Sequence, residues 1–217
     1  MEIYPSILAY SKLEFAAKVE HVRPLGLRVH IDVMDGVFVA GRTWADPSEV
    51  QELLQDMPFN VHLMVSSPEH AVPIWAVSGP DCVYFHVEST YRHKLIMRAV
   101  KQDEIIGIAL NPNTPVSQIG HLLDRISSVL IMSVFPGRSG QEFLPNVLEK
   151  IREVKRLRPE LHVVVDGGIK PHNIAAVAEA GADAVIIGSA LTDSPDPEAA
   201  LYKFQQQLQK VEAVTSI

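Results

Sequence analysis

Val29-His30-Ile31-Asp32-Val33-Met34-Asp35-Gly36 holds two groups that do not belong in an ordinary core. Its Val and Ile spacing reads as a strand. A period of two puts Val29, Ile31 and Val33 on one face and His30, Asp32 and Met34 on the other. If the apolar face packs on helices, His30 and Asp32 point inward near the strand's C-terminal end. In a barrel of parallel strands, that end is where active sites lie.

Working outward, the same kind of short Val/Ile-rich run recurs along the chain. The predicted strands are Ile3 to Leu8, Leu27 to Val33, Phe59 to Val65, Cys82 to Val87, Ile105 to Leu110, Val129 to Val134, Val163 to Asp166 and Ala184 to Ile187. Such runs suit strands covered on both faces. Between them lie stretches of helical period, as in Asn146 to Val154 and in Asn173 to Ala180, the latter closed by Gly181. Pro68, Pro115 and Pro171 stand where first helical turns should begin. Eight strands, each followed by a helix, in 217 residues is the arithmetic of an α/β (β/α)8 TIM barrel, one domain over residues 1–217. A doubly wound open sheet would bring a glycine-rich turn after the first strand, and here that turn reads Ser6-Ile7-Leu8-Ala9-Tyr10.

Composition narrows the function classes. Hydrophobic residues make up 47% and charged residues 21%, which excludes a disordered chain. The formal charge of -7 and the lack of any Lys/Arg cluster argue against nucleic acid or an anionic membrane as partner. The lone cysteine, Cys82, excludes a disulfide framework and a multi-cysteine zinc site. No apolar run reaches the roughly 20 residues of a spanning helix, and the start lacks a signal-peptide pattern, so the expectation is a cytoplasmic protein.

The intrusion of polar groups repeats. Val61-His62-Leu63-Met64 sets His62 and Met64 on one strand face, Phe85-His86-Val87-Glu88 ends the fourth strand, and Val165-Asp166-Gly167-Gly168 ends the seventh. Burying several unpaired carboxylates and imidazoles is expensive unless they share a partner. His30, Asp32, His62 and Asp166 are candidates for a four-ligand set holding one divalent metal, zinc, iron(II), manganese or cobalt, the alternative being four separately hydrogen-bonded core groups. For His86, a supporting role and ordinary packing both stay open. Glycine loops follow the last three strands: Phe135-Pro136-Gly137-Arg138-Ser139-Gly140-Gln141, then Gly167-Gly168-Ile169, then Gly188-Ser189-Ala190. Glycine lets the backbone approach an anion closely, and late-strand loops of this barrel commonly hold phosphate. With an acidic chain, attraction for phosphate must be local, from the metal and from N–H groups; Arg138 is either a further contributor or a solvated loop arginine.

At these residues the chain resembles the ribulose-phosphate 3-epimerase family along essentially its whole length. The resemblance rests on Pro5-Ser6-Ile7-Leu8, His30-Ile31-Asp32-Val33-Met34-Asp35-Gly36, Val61-His62-Leu63-Met64, Leu110-Asn111-Pro112-Asn113-Thr114-Pro115, Met132-Ser133-Val134 and Val165-Asp166-Gly167-Gly168, in that order. It implies a divalent metal held by His30, Asp32, His62 and Asp166. It also implies that Asp32 and Asp166 double as the acid/base pair, with Ser6, Met34, Met64 and Met132 around the substrate. The implied reaction is epimerisation at carbon 3 of a ketose phosphate through a metal-stabilised cis-enediolate, interconverting D-ribulose 5-phosphate and D-xylulose 5-phosphate in the pentose phosphate pathway. A homo-oligomer, dimer or larger, is implied as well.

Two loops depart from the family pattern. Val37-Phe38-Val39-Ala40-Gly41 stands where the family usually has His-Phe-Val-Pro-Asn, and Phe135 to Gln141 stands where it commonly has Asn-Pro-Gly-Phe-Gly-Gly-Gln. The catalytic groups are untouched. The changes leave open the same chemistry on another ketose phosphate, such as D-allulose 6-phosphate. A decarboxylase or synthase of the orotidine-phosphate type would carry Asp-x-Lys-x-x-Asp on a strand, and Asp32-Val33-Met34-Asp35 has no lysine between. A non-catalytic phosphosugar-binding barrel would have no need of two acid/base carboxylates.

Overall fold

Eight parallel strands close on themselves: β1 (Glu2–Ile7), β2 (Val29–Met34), β3 (Phe59–Met64), β4 (Cys82–His86), β5 (Ile106–Leu110), β6 (Ser128–Met132), β7 (His162–Asp166) and β8 (Ala184–Ile187). They are seen in a computed structural model that describes residues 1–100, 105–138 and 140–215, with side chains through Val211. Each strand pairs with the next, and β8 pairs with β1 through Pro5 opposite Ile187. Closure leaves no open edge, so every strand is covered inside by side chains and outside by helices.

The period-two reading of the strands holds. Val29, Ile31, Val61, Leu63, Val163 and Val165 join the apolar layer between sheet and helices. Alternate residues turn inward: Tyr4, Cys82, Tyr84, Ala109, Leu130, Met132, Val164, Ala184 and Ile186 make a separate interior cluster. That interior is tight. A Cβ placed on Gly107 would meet the Tyr84 ring at 2.3 Å, so β5 can pass that ring only without a side chain. His30, Asp32, His62 and Asp166 occupy the same inward parity, above this plug.

The helices are α1 (Lys12–Val22), α2 (Pro47–Leu54), α3 (Pro68–Ala76), α4 (His93–Ala99), α5 (Val147–Leu157), α6 (Ile174–Glu179), α7 (Ser189–Thr192) and α8 (Pro197–Thr215). In α5, Val147, Ile151 and Val154 recur at helical spacing and are buried. Gly181 takes φ 101° after α6, and its N–H donates to the Ala178 carbonyl at 2.9 Å. Pro68 opens α3 as expected. Pro171 lies instead in the turn before α6, and Pro115 precedes a 3-10 turn, Val116–Ile119. Between β5 and β6 the described chain makes two such turns, the second being Leu123–Arg125, in place of an α-helix. Pro112 and Pro115 lack N–H groups and restrict the residues before them, which keeps this connection from winding up as its neighbours do. No described helix is long and apolar enough to cross a membrane.

Candidate active site

Strand register builds the site. Ser6 pairs with His30, Asp32 with His62, and Met132 with Asp166, so the polar ends of β1, β2, β3, β6 and β7 arrive at one height. One ligand atom each from His30, Asp32, His62 and Asp166 can be chosen so that all four lie within 4.8 Å of one another. His62 Nδ1 is 3.1 Å from Asp32 Oδ1 and 3.8 Å from Asp166 Oδ2, and His30 Nε2 is 3.8 Å from Asp32 Oδ1. Ser6 Oγ donates to Asp32 Oδ2 at 2.5 Å. Both imidazoles are fully buried, whereas Asp166 keeps a small window on the cavity above.

The electrostatics separate the two carboxylates. Burial pushes Asp32 upward, but the adjacent imidazoles of His62 and His30 and the Ser6 hydroxyl bring it below the ordinary range. Asp166 goes the other way, raised well above its usual value by burial and by the negative charge of Asp32. Burial drives His30 down to about 3 despite Asp32 beside it, so its ring is neutral at physiological pH.

A divalent cation fits this set. Both ring nitrogens of His30 are buried with no hydrogen-bond partner, which is costly unless something else engages a lone pair. Two imidazoles with two carboxylates make a nitrogen/oxygen donor set that suits zinc, iron(II), manganese or cobalt. A cation at the centre would also relieve the repulsion that raises Asp166.

An open cavity of about 690 Å³ sits over the cluster. Of the residues singled out from sequence, Ser6, Asp32, Asp166, Met64, Met132, Gly137, Arg138, Gly140, Gly167, Gly168, Gly188 and Ser189 line it. His30 and His62 lie beneath, buried. Met34 is buried outside the lining, with its Cε 3.5 Å from where a Cβ on Gly41 would stand. Ser139 falls outside the described residues. Two of these glycines are required by geometry. A Cβ on Gly168, at φ 63°, would meet the Phe143 N at 2.5 Å, and one on Gly137 would meet Val39 at 2.9 Å.

A model of the ribulose-phosphate 3 epimerase family matches residues 2–192. The chain belongs to the ribulose-phosphate 3-epimerase family. The ribulose-phosphate 3-epimerase of Bacillus subtilis is 37% identical over 210 residues, covering 93% of this chain and 96% of that protein. That of Escherichia coli is 36% identical over 191 residues, 84% of each chain. Membership places this chain among the isomerases that act on carbohydrate phosphates. Among solved structures, 3-hexulose-6-phosphate synthase from Salmonella typhimurium superposes with a TM-score of 0.72 over 97% of this chain and all of its own, at 15% identity. That likeness shows the shared barrel and nothing of the chemistry.

Several residues of this family member's site carry no signal that strand parity could expose. Lys170 lines the cavity directly after the Gly167-Gly168-Ile169 turn, and its place beside two glycines was the one available hint. Asp35 ties the loop after β2 to the loop after β3: Oδ1 accepts from the Val37 and Phe38 N–H groups at 2.8 and 2.9 Å, and Oδ2 from the Ser66 N–H at 2.7 Å. Burial alone would raise Asp35, but these donors hold it below the usual range. Ser133 Oγ donates to the Asp166 and Gly167 carbonyls, fixing the β7 turn to β6.

Proposed function

We propose that this chain interconverts D-ribulose 5-phosphate and D-xylulose 5-phosphate by moving a proton at carbon 3. The observation that carries the reading is the pair Asp32 and Asp166, adjacent in one cluster, facing one cavity, with their acidities pushed in opposite directions. Epimerisation beside a carbonyl needs a base for one face of the carbon and an acid for the other. Asp32, kept ionised by Ser6 and the imidazoles, is ready to take a proton. Asp166, made the weaker acid by burial and by its neighbour, is the one placed to return a proton. After transfer the two carboxyls have exchanged states, which equips them for the reverse reaction.

His30, Asp32, His62 and Asp166 would hold a divalent cation, which when bound would act as a Lewis acid toward the negative charge that develops on the sugar oxygens. Met64 and Met132 give the cavity an apolar, adaptable wall that keeps water from the reacting carbon. The phosphate would lie at the glycine turns, where the N–H groups of Gly167, Gly168, Gly188 and Ser189 can converge with no side chain in the way. Arg138 and Lys170 line the same cavity and bring positive charge to that end.

Of the two loops that depart from the family pattern, Val37 to Gly41 contributes nothing to the cavity lining, whereas Pro136, Gly137 and Arg138 do. Ser6, Met64 and Met132, which line the cavity at the cluster, all fall in the motifs shared with the family, which favours the pentulose. Side-by-side kcat/KM values test this. The account expects D-ribulose 5-phosphate to exceed D-allulose 6-phosphate by about tenfold or more, the scale on which one extra carbon is discriminated in a fitted pocket. A negligible value for the pentulose beside a substantial one for the hexulose would transfer the assignment to the six-carbon sugar.

A further inference from the structure

We propose that Glu88, acting through His86, sets the tautomer of His62 and so makes its Nδ1 a ligand for the cation; His86 and Glu88 are positioning residues. This rests on the reading of His62 as a metal ligand. The contacts form one line away from the site. His62 Nε2 lies 2.9 Å from His86 Nε2, and His86 Nδ1 lies 3.2 Å from Glu88 Oε2. Glu88 Oε1 accepts the Asn111 N–H at 2.8 Å. Asn111 is held in turn by Lys150, a buried lysine of α5 whose Nζ donates to the Asn111 and Pro112 carbonyls at 2.7 and 3.0 Å.

The direction of every proton on this line follows from its far end. An ionised carboxylate only accepts. Burial would raise Glu88, but His86, Thr114 and the Asn111 N–H hold it below the ordinary range, and the Lys150 ammonium lies close enough to feel its charge. His86 Nδ1 must therefore carry the hydrogen. With its hydrogen on Nδ1, the His86 ring presents a lone pair at Nε2, 2.9 Å from His62 Nε2. His62 Nε2 must then donate, which leaves His62 Nδ1 with a lone pair aimed at Asp32 and Asp166. Lone pair against carboxylate is repulsive by itself, and becomes attractive with a cation between them. The Phe38 ring, 4.9 Å from that of His86, closes the line from above.

Glu88→Gln tests the idea with almost no change of shape. The glutamine oxygen must accept from the Asn111 N–H, which turns its NH2 toward His86. His86 Nδ1 then has to accept, its Nε2–H donates to His62 Nε2, and His62 Nδ1 gains a hydrogen where the cation should bind. Zinc affinity measured by competition with a chromophoric chelator should fall roughly 10- to 100-fold, the range for outer partners of metal-bound histidines. In the metal-free proteins, ¹⁵N shifts of His86 should place the hydrogen on Nδ1 in wild type and on Nε2 in the variant. A merely structural role would move neither. His86→Phe, which removes the acceptor for His62 altogether, provides a second variant should the first fold poorly, and the same loss of affinity is expected. Zinc affinity within twofold of wild type in the folded variants, or a wild-type His86 bare at Nδ1, would overturn the proposal. If wild type itself takes up no zinc, the metal centre fails and the relay with it, an outcome distinct from equal binding by both proteins.

Discussion

Asp166→Asn should lower turnover by about 10²- to 10⁴-fold or more, the scale of a lost general acid/base, while leaving the barrel folded. The expectation of an intact fold is structural. The backbone carbonyl of residue 166, not its side chain, accepts from the Ser133 N–H and hydroxyl that hold β7 to β6. Asparagine keeps the size and resembles the protonated acid, so it relieves the repulsion from Asp32 that raises Asp166. In chelator, the unfolding temperature of the variant should therefore match or exceed that of wild type. Because Asp166 also belongs to the ligand set, turnover should be assayed with cation in excess. Near-normal turnover under those conditions would remove Asp166 from the proton path.

Exhaustive chelation should abolish turnover, and adding back zinc, iron(II), manganese or cobalt should restore it. His30 makes the dependence severe. With both ring nitrogens buried and unpartnered, and Asp32 and Asp166 forced together, the empty cluster is destabilised in the folded state. A ligand that binds only the folded protein stabilises it by RT ln(1 + [L]/Kd), about 2.7 kcal/mol at a hundredfold excess over Kd. A calorimetric scan should accordingly show the unfolding temperature rise on metal addition. Full activity in protein shown free of metal by elemental analysis would contradict the assignment of these four residues.

The sequence was most legible where geometry leaves little choice. In a strand the side-chain period is fixed, so His30 and Asp32 between Val29, Ile31 and Val33 could face only one way, and β3 and β7 repeated the pattern at the same level. The glycine turns were readable because positive φ and close backbone approach leave few alternatives to glycine, as at Gly137 and Gly168. The line from Glu88 to Lys150 was not readable. It joins residues on three elements through particular rotamers, and Lys150 in sequence is one of several charged residues on a helix whose other face is buried. Asp35 was equally hidden, since a carboxylate in a loop gives no sign that its oxygens will bridge to Ser66. The connection after β5 misled for a related reason: Pro115 was read as a helix start, but with Pro112 so near it the segment settled into 3-10 turns.

The most direct test of proton exchange at the barrel mouth is the solvent-isotope experiment on the metal-loaded protein. D-ribulose 5-phosphate incubated in D2O should take up deuterium at carbon 3 as D-xylulose 5-phosphate accumulates, followed by proton NMR. Retention of the original hydrogen at that carbon, with no second sugar formed, would leave a barrel that binds a sugar phosphate without transforming it.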